Sequence, residues 1–271
     1  MTRPSLTLSR SALTDFLACQ RRFQLRYLQR LPWPQAPLTA ETKSRLSLGD
    51  RFHQLVERHY LGLPISSDWL DTADDALQNW WNAFLRQPPA RRSDATRLLT
   101  EATVTVPLGQ HDLIGRFDLL MLTTAGELHI YDWKTGRPRS VSALRQDWQT
   151  RLYLALATEG RAALGLPELT PEQVRLTYWY AQEPAVPRVL TYDTAVHEAN
   201  WHELTQIVSQ IDAQLDQPEW PLTPNLETCT HCAYRAFCGR FETPQIVADI
   251  LEEREFWADA PWEVEPLEPE I

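Results

Sequence analysis

The segment Ile130-Tyr131-Asp132-Trp133-Lys134-Thr135-Gly136 ends an apolar run with an aspartate, a spacer and a lysine. Lys134 is one of only two lysines in a chain that carries 24 arginines. Arginine is a planar, permanently charged fork, whereas lysine is a compact point charge whose pKa responds to its surroundings. A site that must orient an attacking water beside a metal-bound phosphate calls for the lysine. One strand earlier a second apolar run ends in Gly115-Arg116-Phe117-Asp118. If the two runs pair as a hairpin, Asp118 and Asp132 lie side by side at one end of a sheet. Two carboxylates there suit a hard divalent cation, Mg²⁺ or Mn²⁺, with positions left over for water and phosphate. Such an ion polarises a phosphodiester and lowers the pKa of a bound water, and Lys134 can orient or stabilise the nucleophile.

Two further groups fit the same chemistry. His53, in Gly49-Asp50-Arg51-Phe52-His53, offers an imidazole ligand. In Gln149-Thr150-Arg151-Leu152-Tyr153 the helical spacing i, i+4 sets Gln149 and Tyr153 on one face. Taken singly, each has an ordinary reading: a surface ion pair, a half-buried helix histidine, a helix-surface pair. Their joint order and spacing do not follow from those readings.

The elements that must position these residues are legible in the apolar periodicity. Helices are expected over 9–30, capped by Ser9 or Ser11 and ended by Pro32 and Pro34, over Ser47–Tyr60, and around 68–86. Thr100–Leu108, Leu113–Leu122 and Leu128–Trp133 then alternate as strands, with turns at Gly109-Gln110 and Ala125-Gly126. A helix over Ser142–Ala157, strands at Val174–Tyr180 and Val189–Tyr192, and helices at 196–215 and 244–257 follow. The order α-β-β-β-α-β implies an α/β fold with a mixed central sheet.

At 271 residues and 43% hydrophobic, with 11 tryptophans, the chain can build one sizeable core. We read 1–271 as a single domain: an N-terminal helix in 1–45, a core in 46–195, a helix and cysteine cluster in 196–240, and an acidic tail in 241–271. No window has the length of a membrane span, and the first residues lack a secretory apolar core, so a cytoplasmic protein is expected. The net charge of −10 argues against a polyanion partner until its distribution is considered. The tail holds 10 acids against Arg254 alone, while the first 30 residues carry six arginines against Asp15. The body is near neutral. Arginines 21, 22, 26 and 30, and 137, 139, 145 and 151, are candidate phosphate contacts. Tyr178, Trp179 and Tyr180 could stack bases but suit a core strand equally.

The set Gly-x-x-x-His, Gly-x-x-Asp, Asp-x-Lys and Gln-x-x-x-Tyr resembles the PD-(D/E)XK nuclease superfamily in its RecB-like branch. The resemblance spans His53 to Tyr153, with Phe117 where the family name has proline. It implies that His53, Asp118, Asp132 and the Trp133 backbone carbonyl bind Mg²⁺ or Mn²⁺. It implies that Asp118, Asp132 and Lys134 are catalytic and that Gln149 and Tyr153 contact DNA. The activity implied is a metal-dependent deoxyribonuclease, a single-strand exonuclease of repair, recombination or CRISPR adaptation. A helicase or other repair or CRISPR proteins are the implied partners. The alternative is a non-catalytic nuclease-fold DNA-binding subunit of a helicase complex.

Four cysteines remain: Cys19, and Cys229-x2-Cys232-x5-Cys238 some two hundred residues later. Four thiolates are what a cubane iron–sulfur cluster requires. One cysteine before the core and three after it resembles the [4Fe–4S]-bearing RecB-like nucleases, AddB-type subunits and CRISPR-adaptation exonucleases among them. The resemblance implies a structural cluster that joins the two ends of the chain. A zinc site on Cys229, Cys232, Cys238 and His231 is the rival, and it leaves Cys19 idle.

Overall fold

The computed structural model describes residues 4–31, 40–66, 70, 74–230 and 232–240. At its centre is a six-stranded mixed sheet: β1 (Thr7–Leu8), β2 (Ala95–Leu108), β3 (His111–Thr123), β4 (Leu128–Lys134), β5 (Val174–Tyr180) and β6 (Arg188–Thr191). β2 and β3 form a long antiparallel hairpin whose tight turn places Gly109 at φ 64. Glycine adopts that conformation without a Cβ penalty. β4 returns antiparallel to β3, β5 lies parallel to β4, and β6 runs antiparallel to β5. Parallel neighbours need a crossover, and here it carries α5 (Val141–Gln146) and α6 (Trp148–Glu159). The α-β-β-β-α-β order read from the sequence is the order found.

Helices cover both faces, so β4 and β5 are buried on both and read as nearly unbroken apolar runs. On one face α1 (Arg10–Ala18), α6 and α7 (Thr194–Leu215) pack Leu13, Phe16, Leu152, Leu156, Leu204 and Ile211 against Phe117, Ile130 and Leu176. On the other, α3 (Ala40–Leu61) and α4 (Asp75–Arg86) bring Phe52, Val56, Trp81 and Phe84 onto Leu119, Tyr131, Trp133 and Trp179. Gly115 lets α6 approach β3: a Cβ there would stand 2.7 Å from Leu156 Cδ1.

The structure corrects three helix boundaries. The helix expected over 9–30 stops at Ala18, because Cys19 is extended at φ −163, ψ 109 while its N–H still caps Asp15 O. The chain resumes as α2 (Gln20–Phe23) and a π-helical turn over Gln24–Leu28. The helix expected over 142–157 is two helices. Asp147 leaves helical geometry between them, and its carboxylate accepts the Gln149 N–H at 2.8 Å as the N-cap of α6. α3 begins at Ala40, a turn and more before Ser47. The helix expected at 244–257 and His231 lie outside the described residues. No helix among the described residues is long and apolar enough to cross a membrane.

Candidate active site

The site forms where the sheet parts. The edge of β3 opposite β2 is shared by two strands: β1 pairs with Asp112 and Leu113, and β4 pairs with Leu119 to Leu122. Between them, among the described residues, no strand pairs with that edge. The pair Leu119↔Tyr131, continued by one step, would set Asp118 opposite Asp132. The strands separate at that step, and the Trp133 N–H donates instead to Asp118 Oδ2 at 2.7 Å.

On its other edge β3 breaks step at the same residue. The β2–β3 ladder runs through Thr100↔Leu119 and Ala102↔Phe117, leaving Glu101 and Asp118 out. Glu101 sits at φ 50, a left-handed conformation that costs a non-glycine residue roughly 1–2 kcal/mol. The side-chain alternation reverses across this point. Phe117 and Val104 belong to the α6 face, whereas Leu119 and Leu98 belong to the α3 face. Paired irregularities on adjacent strands re-aim both carboxylates into the notch.

α3 supplies the third group from the layer above. His53 Nδ1 is 3.4 Å from Asp118 Oδ1, and ligand atoms of His53, Glu101 and Asp118 all lie within 4.8 Å of one another. One turn before His53, a Cβ on Gly49 would reach within 3.3 Å of Thr135 Oγ1, so the glycine brings α3 close to the end of β4. Burial alone would lower the His53 pKa, but the Asp118 carboxylate outweighs it and raises the imidazole to about 9. Burial would raise Asp118, and His53 with Lys134 holds it below the usual range. Glu101 is raised by burial and by the Asp118 charge. Arg116 Nε meets Glu101 Oε2 at 2.6 Å while its side chain remains 60% exposed.

Below this group lies a second network. Asp132 is 2% exposed. Its Oδ1 accepts from Gln149 Nε2 at 2.8 Å, and its Oδ2 is 2.9 Å from Lys134 Nζ. Lys134 Nζ also donates to Gln149 Oε1 at 3.2 Å, closing a triangle. Tyr153, one turn along α6, donates to the Arg116 carbonyl on β3. The Trp133 indole is packed away in the α3 face, stacked on Tyr131 and Tyr60 at 5.8 and 6.0 Å. Its backbone therefore borders the site while its side chain anchors β4.

All seven residues read from the sequence thus fall in or beside the notch: His53, Asp118, Asp132, Trp133, Lys134, Gln149 and Tyr153. Asp132 is set apart from the His53–Asp118 pair and held by Lys134 and Gln149. Glu101 was missed, although its signal was present. A two-residue turn at Gly109-Gln110 pairs Leu108 with His111. Counting seven residues outward along each strand reaches Glu101 and Asp118. Several candidate phosphate contacts are internal instead: Arg22 and Arg26 bind buried Asp15, and Arg151 is engaged by Asn200 and Glu203. Tyr178, Trp179 and Tyr180 are core residues.

Described residues from 218 onward pack against the N-terminal helices, beside α1 and α2. Phe23 stacks on Trp220 at 5.4 Å, Arg21 N–H donates to Pro221 O, and Tyr234 OH donates to Leu31 O. This contact brings Cys19 to the C-terminal cysteines. Burial pushes the Cys232 thiol up to about 11, with Cys19 and Cys238 adding to the rise against Arg22. Cys19 and Cys229 are buried, and Arg240 Nη1 lies 3.2 Å from Cys229 Sγ. Among the described residues, the group of three or more such ligand atoms within 4.8 Å of one another is the His53 group.

Comparison with known proteins bears on the family and the fold. The sequence profile of the PD-(D/E)XK nuclease superfamily matches residues 7–239. A crystal structure from Eubacterium rectale, described as that of a candidate exonuclease, superposes with a TM-score of 0.50. It shares 12% identity and covers 80% of this chain and 83% of that one, a likeness of fold. The structure of SSO0001 shares 13% identity over 88% of each chain, at a TM-score of 0.36. No curated protein sequence matches the chain.

Proposed function

Because the chain belongs to the PD-(D/E)XK nuclease superfamily, we propose that it is a Mg²⁺- or Mn²⁺-dependent deoxyribonuclease acting on single-stranded DNA ends. The observation that carries this reading is the convergence of His53, Asp118 and the Asp132–Lys134–Gln149 triangle on one notch. His53, Asp118, Asp132 and the Trp133 carbonyl would hold the cation. The donor set fits a hard ion, since oxygen atoms dominate it and one imidazole completes it. Bound there, such an ion polarises the scissile phosphate and activates a water.

The chain's own side chains do the rest. Asp132 and Gln149 fix Lys134 Nζ at 2.9 and 3.2 Å, so the ammonium is oriented before substrate arrives. From there it can steer a water toward phosphorus and offset charge that develops on the phosphate oxygens. Gln149 and Tyr153 share the α6 face that borders the notch, where both are buried, and by the family resemblance they would contact the strand flanking the scissile bond. Cleavage of end-labelled single- and double-stranded DNA with Mn²⁺ tests the reading. Lys134→Ala is expected to lose about 10²–10³-fold in rate with its fold intact. Binding without cleavage by the unaltered protein, in Mg²⁺ and in Mn²⁺, would sink it in favour of a DNA-binding subunit. Processing from single-stranded ends would suit a role in repair, recombination or CRISPR adaptation beside a helicase.

Cys19, Cys229, Cys232 and Cys238 would hold a structural [4Fe–4S] cluster. The docking of the N-terminal helices on residues 218–240 supports this, because all four thiols belong to that junction. A zinc site, with Zn–S bonds near 2.3 Å, is the rival. Iron and sulfide analysis of anaerobically purified protein decides between them; a colourless, zinc-loaded sample overturns the cluster.

A further inference from the structure

We propose that Glu101 is a direct ligand of the divalent cation, and that Arg116 holds its carboxylate when the cation is away. The inference rests on the nuclease reading above and adds a residue to it. Two ligand atoms on one hard cation, each about 2.0–2.2 Å from it, stand at most about 4.4 Å apart. The mutual span of His53, Glu101 and Asp118, within 4.8 Å, needs only a small adjustment to reach that. Asp132, which the nuclease reading also gives to the cation, is approached by Gln149 and Lys134 and does not share this span. The third side chain within reach of both His53 and Asp118 is therefore Glu101.

Electrostatics point the same way. Glu101 and Asp118 are like charges brought together at a partly buried site, an arrangement that a divalent cation favours and a structural strut does not. In the absence of a cation, His53, the Trp133 N–H and Lys134 offset Asp118, and Arg116 offsets Glu101. Arg116 Nε binds Glu101 at Oε2, and its mostly exposed side chain can give way to a cation without leaving a buried charge behind. The strained backbone at residue 101 fits this account: the strand leaves its regular geometry at the residue whose carboxylate must turn inward.

The competing view is that Glu101 serves only to bind Arg116 and brace β2 against β3. Four variants in DNA-free protein separate the two: Glu101→Gln, Glu101→Gly, Arg116→Gln and Asp118→Asn. Mn²⁺ affinity is read by titration calorimetry, and melting temperature is read in EDTA and in Mn²⁺. We expect Glu101→Gln to weaken Mn²⁺ binding at least tenfold and Asp118→Asn to weaken it more. Arg116→Gln, which leaves the ligand in place, is expected to change it less than threefold. Glycine suits a positive φ, so Glu101→Gly is expected to melt in EDTA no lower than the unaltered protein while losing the Mn²⁺-induced rise. A brace predicts the reverse: both Glu101 variants and Arg116→Gln melt lower in EDTA, with Mn²⁺ affinity unchanged. Unaltered affinity in Glu101→Gln beside a loss in Asp118→Asn overturns the Glu101 assignment alone. Unaltered affinity in Asp118→Asn overturns the cation site itself.

Discussion

Asp15 and Asp118 are both carboxylates withdrawn from water, and they are treated in opposite ways. Asp15 is 0% exposed and answered from its own segment. Arg22 Nε lies at 2.7 Å, Arg26 Nη1 at 3.1 Å, and Tyr27 OH donates at 3.2 Å. Asp118 is answered from three elements: an imidazole on α3, a backbone N–H on β4, and on β2 a second carboxylate. The guanidiniums around Asp15 cannot deprotonate, so that set is closed. The imidazole beside Asp118 can, and Glu101 repels the Asp118 carboxylate, so that set can exchange a proton for a cation. Burial raises the Asp15 pKa against the pull of Arg22 and Arg26, whereas His53 lowers that of Asp118 against its burial. The closed set therefore contributes geometry more than stability. It folds the chain back across the Cys19 break and holds the N-terminal helices where residues 218–240 dock.

The largest test of this contrast removes each carboxylate in turn. Asp15→Asn leaves Arg22 buried without its anion, and breaking a buried pair in that way costs about 3–5 kcal/mol. Asp118→Asn keeps an oxygen for the Trp133 N–H and trades the attraction of His53 and Lys134 for relief of repulsion with Glu101, so it should stay within about 1 kcal/mol of the unaltered protein in EDTA. Urea unfolding measures both. Equal losses would show that Asp118 is as structural as Asp15, and the contrast would collapse.

A smaller effect probes the scaffold that aims the open site. Gly115→Ala introduces a Cβ 2.7 Å from Leu156 Cδ1 and 3.4 Å from the Tyr153 ring. Overpacking of this kind typically costs about 1–3 kcal/mol. Leu156 ends in a flexible side chain that can yield, so the value should fall at the low end. Because Tyr153 and Gln149 share α6 with Leu156, DNA cleavage should fall further than the melting temperature suggests. A cleavage rate that stays at the unaltered level while stability falls would show that α6 is not held to the precision the site reading requires.

The sequence carried the site better than it carried the breaks that build it. The order of strands was legible because apolar periodicity marks elements, and the meeting of His53, Asp118, Asp132, Lys134, Gln149 and Tyr153 was implied by the family resemblance that their order and spacing carry. Glu101 was not read, since strand alternation assumes an unbroken pleat and the pleat reverses at that residue. Cys19 and Asp147 were each read through as helix. Both leave helical geometry for tertiary reasons: one turns a segment back onto its own Asp15, and the other caps the helix that carries Gln149. Local propensity cannot show either. The arginines near Cys19 were read as a polyanion surface because a charge count does not reveal that Asp15 lies buried among them.

A third carboxylate extends the comparison to the surface, where the smallest effect is expected. Glu172 is exposed and receives its own backbone N–H, and the Thr194 hydroxyl and N–H at 2.8 and 2.9 Å, at the start of α7. These bonds favour its charged form and lower its pKa to about 2. A depressed carboxylate pKa contributes stability that is present above the unfolded value of about 4.5 and is lost as pH falls toward 2. Asp15, whose pKa is raised, has the opposite sign: its contribution is present at low pH and fades as pH rises. Glu172→Gln should therefore lower the urea midpoint slightly at pH 6, and the difference should vanish near pH 2. Asp15→Asn should lower it far more, since solvent cannot replace the anion beside Arg22. If Glu172→Gln proves as costly as Asp15→Asn, burial does not set the scale of these carboxylates, and the distinction between a closed set and an open one loses its physical basis.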